Sequence, residues 1–231
     1  NNADCIEDCM KSVFSQTHPN IEYIINDGGS TDGTLAVIEK YKAHITHFIT
    51  GPDEGVYDAL NKAIDQSTGD IVGILHADDI FASVIVVEDI VKAFHRYNAD
   101  SVYGDLLYVD RGDTSIIRRY WKSGSFSRRK FLFGWMPPHP ALFVRKRVID
   151  QYGKYNLILK SAADYEWMLR LLYKYCVSTA YLPIITTKMR VGGKSNSSIS
   201  NRLKANWEDR IAWYVNGVSP LWFTTLLKPI R

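Results

Sequence analysis

The stretch Gly69-Asp70-Ile71-Val72-Gly73-Ile74-Leu75-His76-Ala77-Asp78-Asp79 decides how the chain is read. Ile71, Val72, Ile74 and Leu75 form a short apolar run rich in β-branched residues, which predicts a strand buried on both faces. The run stops at two adjacent carboxylates. In open α/β sheets ligands bind in the crevice outside the carboxyl ends of the strands, and a pair of acids there can hold a hard divalent cation, which prefers oxygen ligands. The competing reading is that Asp78 or Asp79 caps a following helix, since Asp is a favoured N-cap residue.

Outward from this strand the first half alternates helix and strand. Ile6, Cys9, Met10, Val13 and Phe14 fall at helical spacing, and Ile21–Ile25 reads as a strand ending near Asn26-Asp27-Gly28-Gly29. A second helix carries Leu35, Val37, Ile38 and Tyr41. A strand is expected over His44–Thr50, then an acidic loop Gly51-Pro52-Asp53-Glu54-Gly55 and a helix over Val56–Gln66. Acidic loops thus follow three successive strands. A helix feeding a parallel strand normally has another strand before it, so a first apolar strand is expected ahead of Ile6 and is missing from the sequence.

Beyond Asp79, Val84–Phe94 predicts a helix, short strands are expected on either side of Asp105, and Arg111-Gly112-Asp113 reads as a hairpin turn. Trp135–Pro140 is too proline-rich for regular structure, Ala141–Arg145 reads as a strand, and Ala162–Glu166 opens a helix. Two late strands flank Pro183, Gly192–Ser198 reads as a loop, and a last helix covers Ile199–Val215. Gly193-Lys194-Ser195 is not a P-loop, because position 188 is Lys where that motif needs Gly.

The 231 residues are ample for a hydrophobic core. A hydrophobic share of 46% with 23% charged residues marks an ordinary globular composition. No apolar run is long enough to span a bilayer, and no signal-peptide pattern opens the chain. Cys5, Cys9 and Cys176 lack disulfide or zinc spacing and read as reduced, buried or half-buried thiols of a cytoplasmic protein. Neither a recognition helix nor an aromatic–basic repeat argues for nucleic acid. The net charge of +3 conceals a one-sided stretch: Arg118 to Arg147 holds nine Lys or Arg and no acid. Such a face suits phosphates of a nucleotide, a lipid diphosphate or an anionic membrane.

Taken together, Asp27-Gly-Gly-Ser-Thr-Asp-Gly-Thr, Asp53-Glu-Gly-Val-Tyr-Asp-Ala-Leu-Asn-Lys-Ala, Gly69-Asp-Ile-Val-Gly with Ala77-Asp-Asp, Pro138-His139-Pro140, Ala163-Asp164-Tyr165-Glu166 and the Gly-Gly-Lys-Ser-Asn loop resemble glycosyltransferase family 2. The resemblance covers nearly the whole chain and is nearest to bacterial enzymes of O-antigen or exopolysaccharide synthesis. It implies the α/β GT-A fold of nucleotide-diphospho-sugar transferases, a mixed, mostly parallel central sheet flanked by helices. Residues 1–110 would form the donor-binding half, 111–216 the acceptor-binding half of the same domain, and 217–231 an apolar C-terminal segment. It further implies an inverting, metal-dependent transferase moving a sugar, with UDP the expected carrier, to a hydroxyl of a lipid-linked or growing oligosaccharide.

In that reading Asp27 contacts the uracil or ribose, Asp53 is a second nucleotide contact, and Asp78 helps hold the donor sugar or ribose. Asp79 binds Mg²⁺ or Mn²⁺ at the diphosphate, and Asp164 is the catalytic base, although Ala163 stands where the family usually has Glu. His139 reads as either a turn residue or an acceptor-site or metal-proximal group, and Trp135 as either core or a sugar platform. The expected location is cytoplasmic, with the basic stretch and the apolar C-terminus on the inner membrane face. The alternatives are a polyprenyl-phosphate sugar synthase, a sugar nucleotidyltransferase, and a non-catalytic carbohydrate- or membrane-binding relative. Three acidic strand ends facing one crevice argue against the last, since they repel one another without a cation.

Overall fold

A computed structural model describes residues 1–192 and 199–227, with the side chains of 199–205 left out. The expected Gly-Gly-Lys-Ser-Asn loop, apart from Gly192, lies outside the described residues. The strands are β1 (Ile24–Asp27), β2 (His47–Thr50), β3 (Ile71–Gly73), β4 (Ile80–Phe81), β5 (Ser101–Val109), β6 (Ile117–Trp121), β7 (Leu142–Arg145) and β8 (Thr179–Arg190). The helices are α1 (Ile6–Phe14), α2 (Thr34–Lys40), α3 (Val56–Gln66), α4 (Val86–Tyr97), α5 (Lys146–Tyr152), α6 (Ala163–Met168), α7 (Ile199–Val215) and α8 (Thr224–Leu227).

β1 and β2 pair in parallel as a small two-stranded sheet. The larger sheet runs β3-β7-β5-β8-β4, with β6 beside β5. The sheet is mixed and flanked by helices, as expected of the fold, but its parallel share is smaller than the early alternation suggested. Only β1–β2 and β5–β8 are parallel, while β3–β7, β4–β8, β5–β6 and β5–β7 are antiparallel. Helix–strand alternation is read locally, whereas β7 and β8 arrive from far along the chain and set the direction of their neighbours.

β1 and β3 do not pair. A groove of about 470 Å³, lined by Tyr23, Ile24, Ile64, Ile71, Val72 and Phe94 among others, separates them, and the edges of both strands that face it carry no partner among the described residues. None of Asp27, Asp53, Asp78 and Asp79 lines this groove.

Two differences from expectation have clear causes. The strands expected on either side of Asp105 are one continuous β5, because Asp105 finds hydrogen-bond donors and does not interrupt the ladder. The two strands flanking Pro183 are likewise one, β8, and the β5–β8 register shifts between Tyr103↔Tyr181 and Asp105↔Ile185. A proline has no N–H for the ladder and is accommodated at such irregularities.

The main core gathers Tyr103, Phe131, Trp135, Leu142, Tyr165, Met168, Leu172 and Trp213 around β5, β7 and α6. A second cluster packs α4 on the sheet through Val86, Ile90, Phe94 and Phe143. A third joins α1 and α2 to β1 through Ile6, Met10, Ile25 and Ile38. Cys5 and Cys9 are buried thiols, whereas Cys176 is exposed and not half-buried as expected. No helix among the described residues is long and apolar enough to cross a membrane.

Candidate functional site

The acidic loops after β1 and β2 touch, and Ala77, in the turn after β3, packs against the cluster that holds Ile25 of β1. Asp27 closes β1 and is nearly buried. Its Oδ1 accepts the N–H groups of Gly29 (3.0 Å) and Ser30 (2.8 Å), and its Oδ2 accepts the Ser30 hydroxyl (2.5 Å). Three of roughly four acceptor positions of this carboxylate are therefore spent on shaping its own loop.

Asp53 lies directly against that loop. A side chain at Gly28 would put its Cβ 2.0 Å from Asp53 Oδ2, so the absence of one is what lets the two loops touch. Asp53 Oδ1 accepts the Gly55 N–H at 2.9 Å, and Gly55 at φ +122° supplies the turn into α3.

Asp78 and Asp79 follow β3 in a turn closed by the Asp79 N–H on His76 O at 2.9 Å. Neither caps a helix: β4 starts at Ile80, and the N-cap of α4 is Ile85. Asp79 is 1% exposed, and both of its carboxylate oxygens lack a hydrogen-bond partner. Burial, then the neighbouring Asp78 charge, push its pKa up to about 8, with the backbone N–H of Arg190, outside full hydrogen-bond geometry, and its charge offsetting part of the rise. A buried carboxylate without partners is costly in its charged form, which favours either the protonated acid or a neighbouring positive charge.

Arg190 and Arg111 complete the frame, and sequence reading assigned neither. Arg190, buried at the end of β8, donates to Asp78 O (3.0 Å) and Arg111 O (3.0 Å) and pairs with Asp8 of α1 at 2.6 Å. Arg111 pairs with Asp4 at 3.0 Å and reaches the Asp78 carboxylate at 3.7 Å. The Cys9 thiol donates to His76 O at 3.4 Å and ties α1 to the same turn. The available signal was a pair of arginines at two predicted strand ends. Neither position carries a local motif: Arg111 sits in a turn tripeptide and Arg190 ends a long strand.

Asp164 sits in the first turn of α6. Ala162 is the N-cap and makes no side-chain cap, and Asp164 Oδ1 accepts the first-turn N–H of Tyr165 at 2.7 Å. Four titratable side chains sense its charge. It raises the Tyr57 and Tyr155 pKa values further after burial, and partly offsets the burial that lowers His76 and His139. His139 Nε2 lies 2.7 Å from the Tyr155 hydroxyl, its ring centroid is 5.9 Å from that of His76, and burial holds its pKa at about 4. His76 also feels Asp78. His76 therefore bridges electrostatically between the acidic strand ends and the surroundings of Asp164, and His139 joins it as a neutral imidazole.

Trp135 is a core residue. Its indole donates to Ser123 O at 3.0 Å and packs edge-on against Phe131 and Tyr103, so it presents no open face for a sugar. Among the described residues no three His, Cys, Asp or Glu side chains come together as a metal cluster. A cation beside Asp79 would therefore need most of its ligands from outside the chain. That requirement fits a bound diphosphate, whose oxygens are the ligands Mg²⁺ commonly shares with one or two carboxylates.

The family model described as glycosyl transferase family 2 matches residues 1–153. The chain belongs to this family. Among relatives of glycosyl transferase family 2, a PGL/p-HBAD biosynthesis glycosyltransferase of Mycobacterium bovis is 27% identical over 196 residues, covering 83% of this chain and 74% of the relative. An uncharacterized glycosyltransferase of Mycobacterium tuberculosis is 33% identical over 177 residues, covering 74% and 64%. Solved structures show the GT-A fold: S. aureus TarS 1–349 in complex with UDP-GlcNAc matches with TM-score 0.72 at 17% identity, over 92% of this chain and 63% of TarS 1–349. Mannosyltransferase PcManGT from Pyrobaculum calidifontis, in complex with GDP-Man and Mn²⁺, matches with TM-score 0.67 at 16% identity, over 98% and 65%. This family 2 chain thus spans less than two thirds of these two solved chains.

Proposed function

We propose that the chain is an inverting transferase that moves a sugar from a nucleotide diphosphate donor, with UDP as the carrier, to a hydroxyl of a lipid-linked or growing oligosaccharide. The observation that carries this reading is the Asp79 carboxylate, buried in the turn after β3 with neither oxygen hydrogen-bonded among the described residues. Membership of family 2 supplies the reaction class, and the TarS and PcManGT complexes support a nucleotide-sugar donor with a divalent cation.

Asp79, with Asp78 beside it, would hold Mg²⁺ or Mn²⁺ together with the diphosphate. When bound, such a cation acts as a Lewis acid on the departing diphosphate. The Asp27 loop and Asp53 orient the nucleoside, and Arg111 and Arg190 fix the position of Asp78. Asp164 accepts the proton of the acceptor hydroxyl as general base. The acceptor oxygen attacks the anomeric carbon as the bond to the diphosphate breaks, and one displacement inverts that centre without a Ser or Cys nucleophile. Most of the rate then comes from positioning and fixed charges. Residues 1–110 serve the donor and 111–216 the acceptor, with Arg111 and Arg190 reaching across. The pathway is assembly of a cell-surface polysaccharide or glycolipid.

The test supplies UDP-glucose, UDP-galactose and UDP-GlcNAc with Mn²⁺ and a polyprenyl-diphosphate-linked sugar, and reads product configuration by NMR. The expected product has the anomeric configuration opposite to the donor. A retained configuration, or nucleotide release that ignores the acceptor, would contradict the proposal.

A further inference from the structure

The donor and acceptor reading leaves one surface unused. Short α8 is fixed to the body by its inner side: Thr224 and Thr225 are buried, the Thr224 hydroxyl donates to Leu132 O at 2.7 Å, and Phe223 packs on Phe133 at 5.9 Å between ring centroids. Asn206 of α7 donates to Thr225 O at 3.0 Å, and Arg210 lies 3.5 Å from Trp222 O. This seam leaves a row of large apolar side chains facing out. Trp222 is 76% exposed, Trp207 67% and Leu226 55%, with Leu221 and Phe133 also exposed. Contiguous apolar surface of this kind marks an interaction site, whereas single exposed residues do not.

The charge around the row selects the partner. Exposed Arg128 and Arg129 precede Phe133 on the turn that α8 covers, and Arg210 lies between Trp207 and Trp222. Glu208, the acid next to Trp207, is turned away and accepts the Ser161 N–H and hydroxyl at 2.8 and 2.6 Å. The structure also divides the basic stretch. Arg147 pairs with Asp100, Lys146 with Asp150, and Arg145 donates to Ala99 O. Two charges of that end are thus paired with acids, whereas beside α8 Arg128 lies over the Tyr173 ring at 4.5 Å and Arg210 donates to Trp222 O, contacts that leave their charge and that of exposed Arg129 to an outside partner. Tryptophan with a basic rim suits the headgroup boundary of an anionic bilayer, where indole rings concentrate and one apolar contact needs a second, electrostatic one for stable attachment.

We propose that Phe133, Trp207, Leu221, Trp222 and Leu226, with Arg128, Arg129 and Arg210, form a membrane-docking face for anionic phospholipid. This places the α7–α8 side of the molecule on the bilayer, and it stands on surface residues separate from the donor site.

The test is co-sedimentation of the full chain with phosphatidylcholine vesicles, with and without phosphatidylglycerol, at low and high salt. Binding to the anionic vesicles is expected to exceed binding to neutral ones by about tenfold at low salt and to fall several-fold at high salt. Trp222→Ser with Leu226→Ser, and separately Arg129→Glu, should each reduce binding by about fivefold or more. Both variants should keep the thermal midpoint and the response to UDP with Mn²⁺, so failure of the donor reading would leave this result intact. No sedimentation of the native chain at low salt, or sedimentation of both variants equal to that of the native chain, would overturn the proposal. So would a native dimer that becomes monomeric with Trp222→Ser, because the face would then belong to a second copy.

Discussion

Asp79 and Asp105 are the same residue type at the same burial, 1% exposed each, and their surroundings are opposite. Asp105, in the middle of β5, accepts the Tyr181 hydroxyl at 2.9 Å, the Ser123 N–H at 2.8 Å and the Tyr120 hydroxyl. Asp79, at the end of the β3 turn, has no partner for either oxygen. A fully satisfied buried carboxylate fixes local structure, here the junction of β5, β6 and β8. An unsatisfied one stores a cost that a ligand can relieve. Burial alone does not separate a structural acid from a functional one; the count of donors does.

A third carboxylate sharpens the contrast and carries the largest expected effect. Asp164 accepts the Tyr165 N–H through Oδ1 at 2.7 Å and lies beside the Tyr57 hydroxyl; since it is the proposed general base, Asp164→Asn should lower kcat by about 10²- to 10⁴-fold. Steady-state rates with an identified donor and acceptor check this, and donor binding by calorimetry should stay as in the native chain.

His139 gives a pH signature. Its folded-state pKa of about 4 lies below the ordinary value of 6.5 because burial disfavours the imidazolium. The unfolded chain takes up this proton first as pH falls, so the stability contribution is full above pH 6.5 and is lost toward pH 4. Urea denaturation across that window should show His139→Gln flattening the acid limb by an amount on the order of 3 kcal/mol. A parallel limb in the variant would remove His139 from the buried cluster around Asp164.

Asp105→Asn is the smallest of these effects and the direct counterpart of Asp79. It leaves donors facing an amide and should cost about 1–3 kcal/mol of stability, measured in urea. The response to nucleotide and metal should not change. If that response disappears as well, the distinction between the two buried acids fails.

Much of this site was legible in the chain because it is built from short local units. α3 spans Val56–Gln66 as its spacing predicts, and the acids after β1, β2 and β3 are read from apolar runs that stop at carboxylates. What could not be read depends on residues distant in sequence. Arg190 reaches Asp8 and Asp78 across more than a hundred positions, and Asp105 draws its donors from β6 and β8. Trp135 illustrates the same limit: the sequence allows either core or a sugar platform, and the packing of Phe131 and Tyr103 makes it core. The antiparallel pairings of β7 escaped for that reason too, since strand direction is settled by partners far along the chain.

The most direct test of the account is thermal unfolding with UDP, with GDP and with dTDP, each with and without Mn²⁺, on the native chain and on Asp79→Asn. A nucleotide at about 100 times its Kd stabilises by about 2.7 kcal/mol, which for a chain of this size raises the midpoint by roughly 5–10 °C. The account predicts that rise for UDP only when Mn²⁺ is present, and none in Asp79→Asn. It also predicts that Asp79→Asn without ligands melts no lower than the native chain, because the substitution removes a buried carboxylate that has no partner. A metal-independent rise, or one that survives in Asp79→Asn, would contradict the assignment of Asp79 as the cation-binding carboxylate.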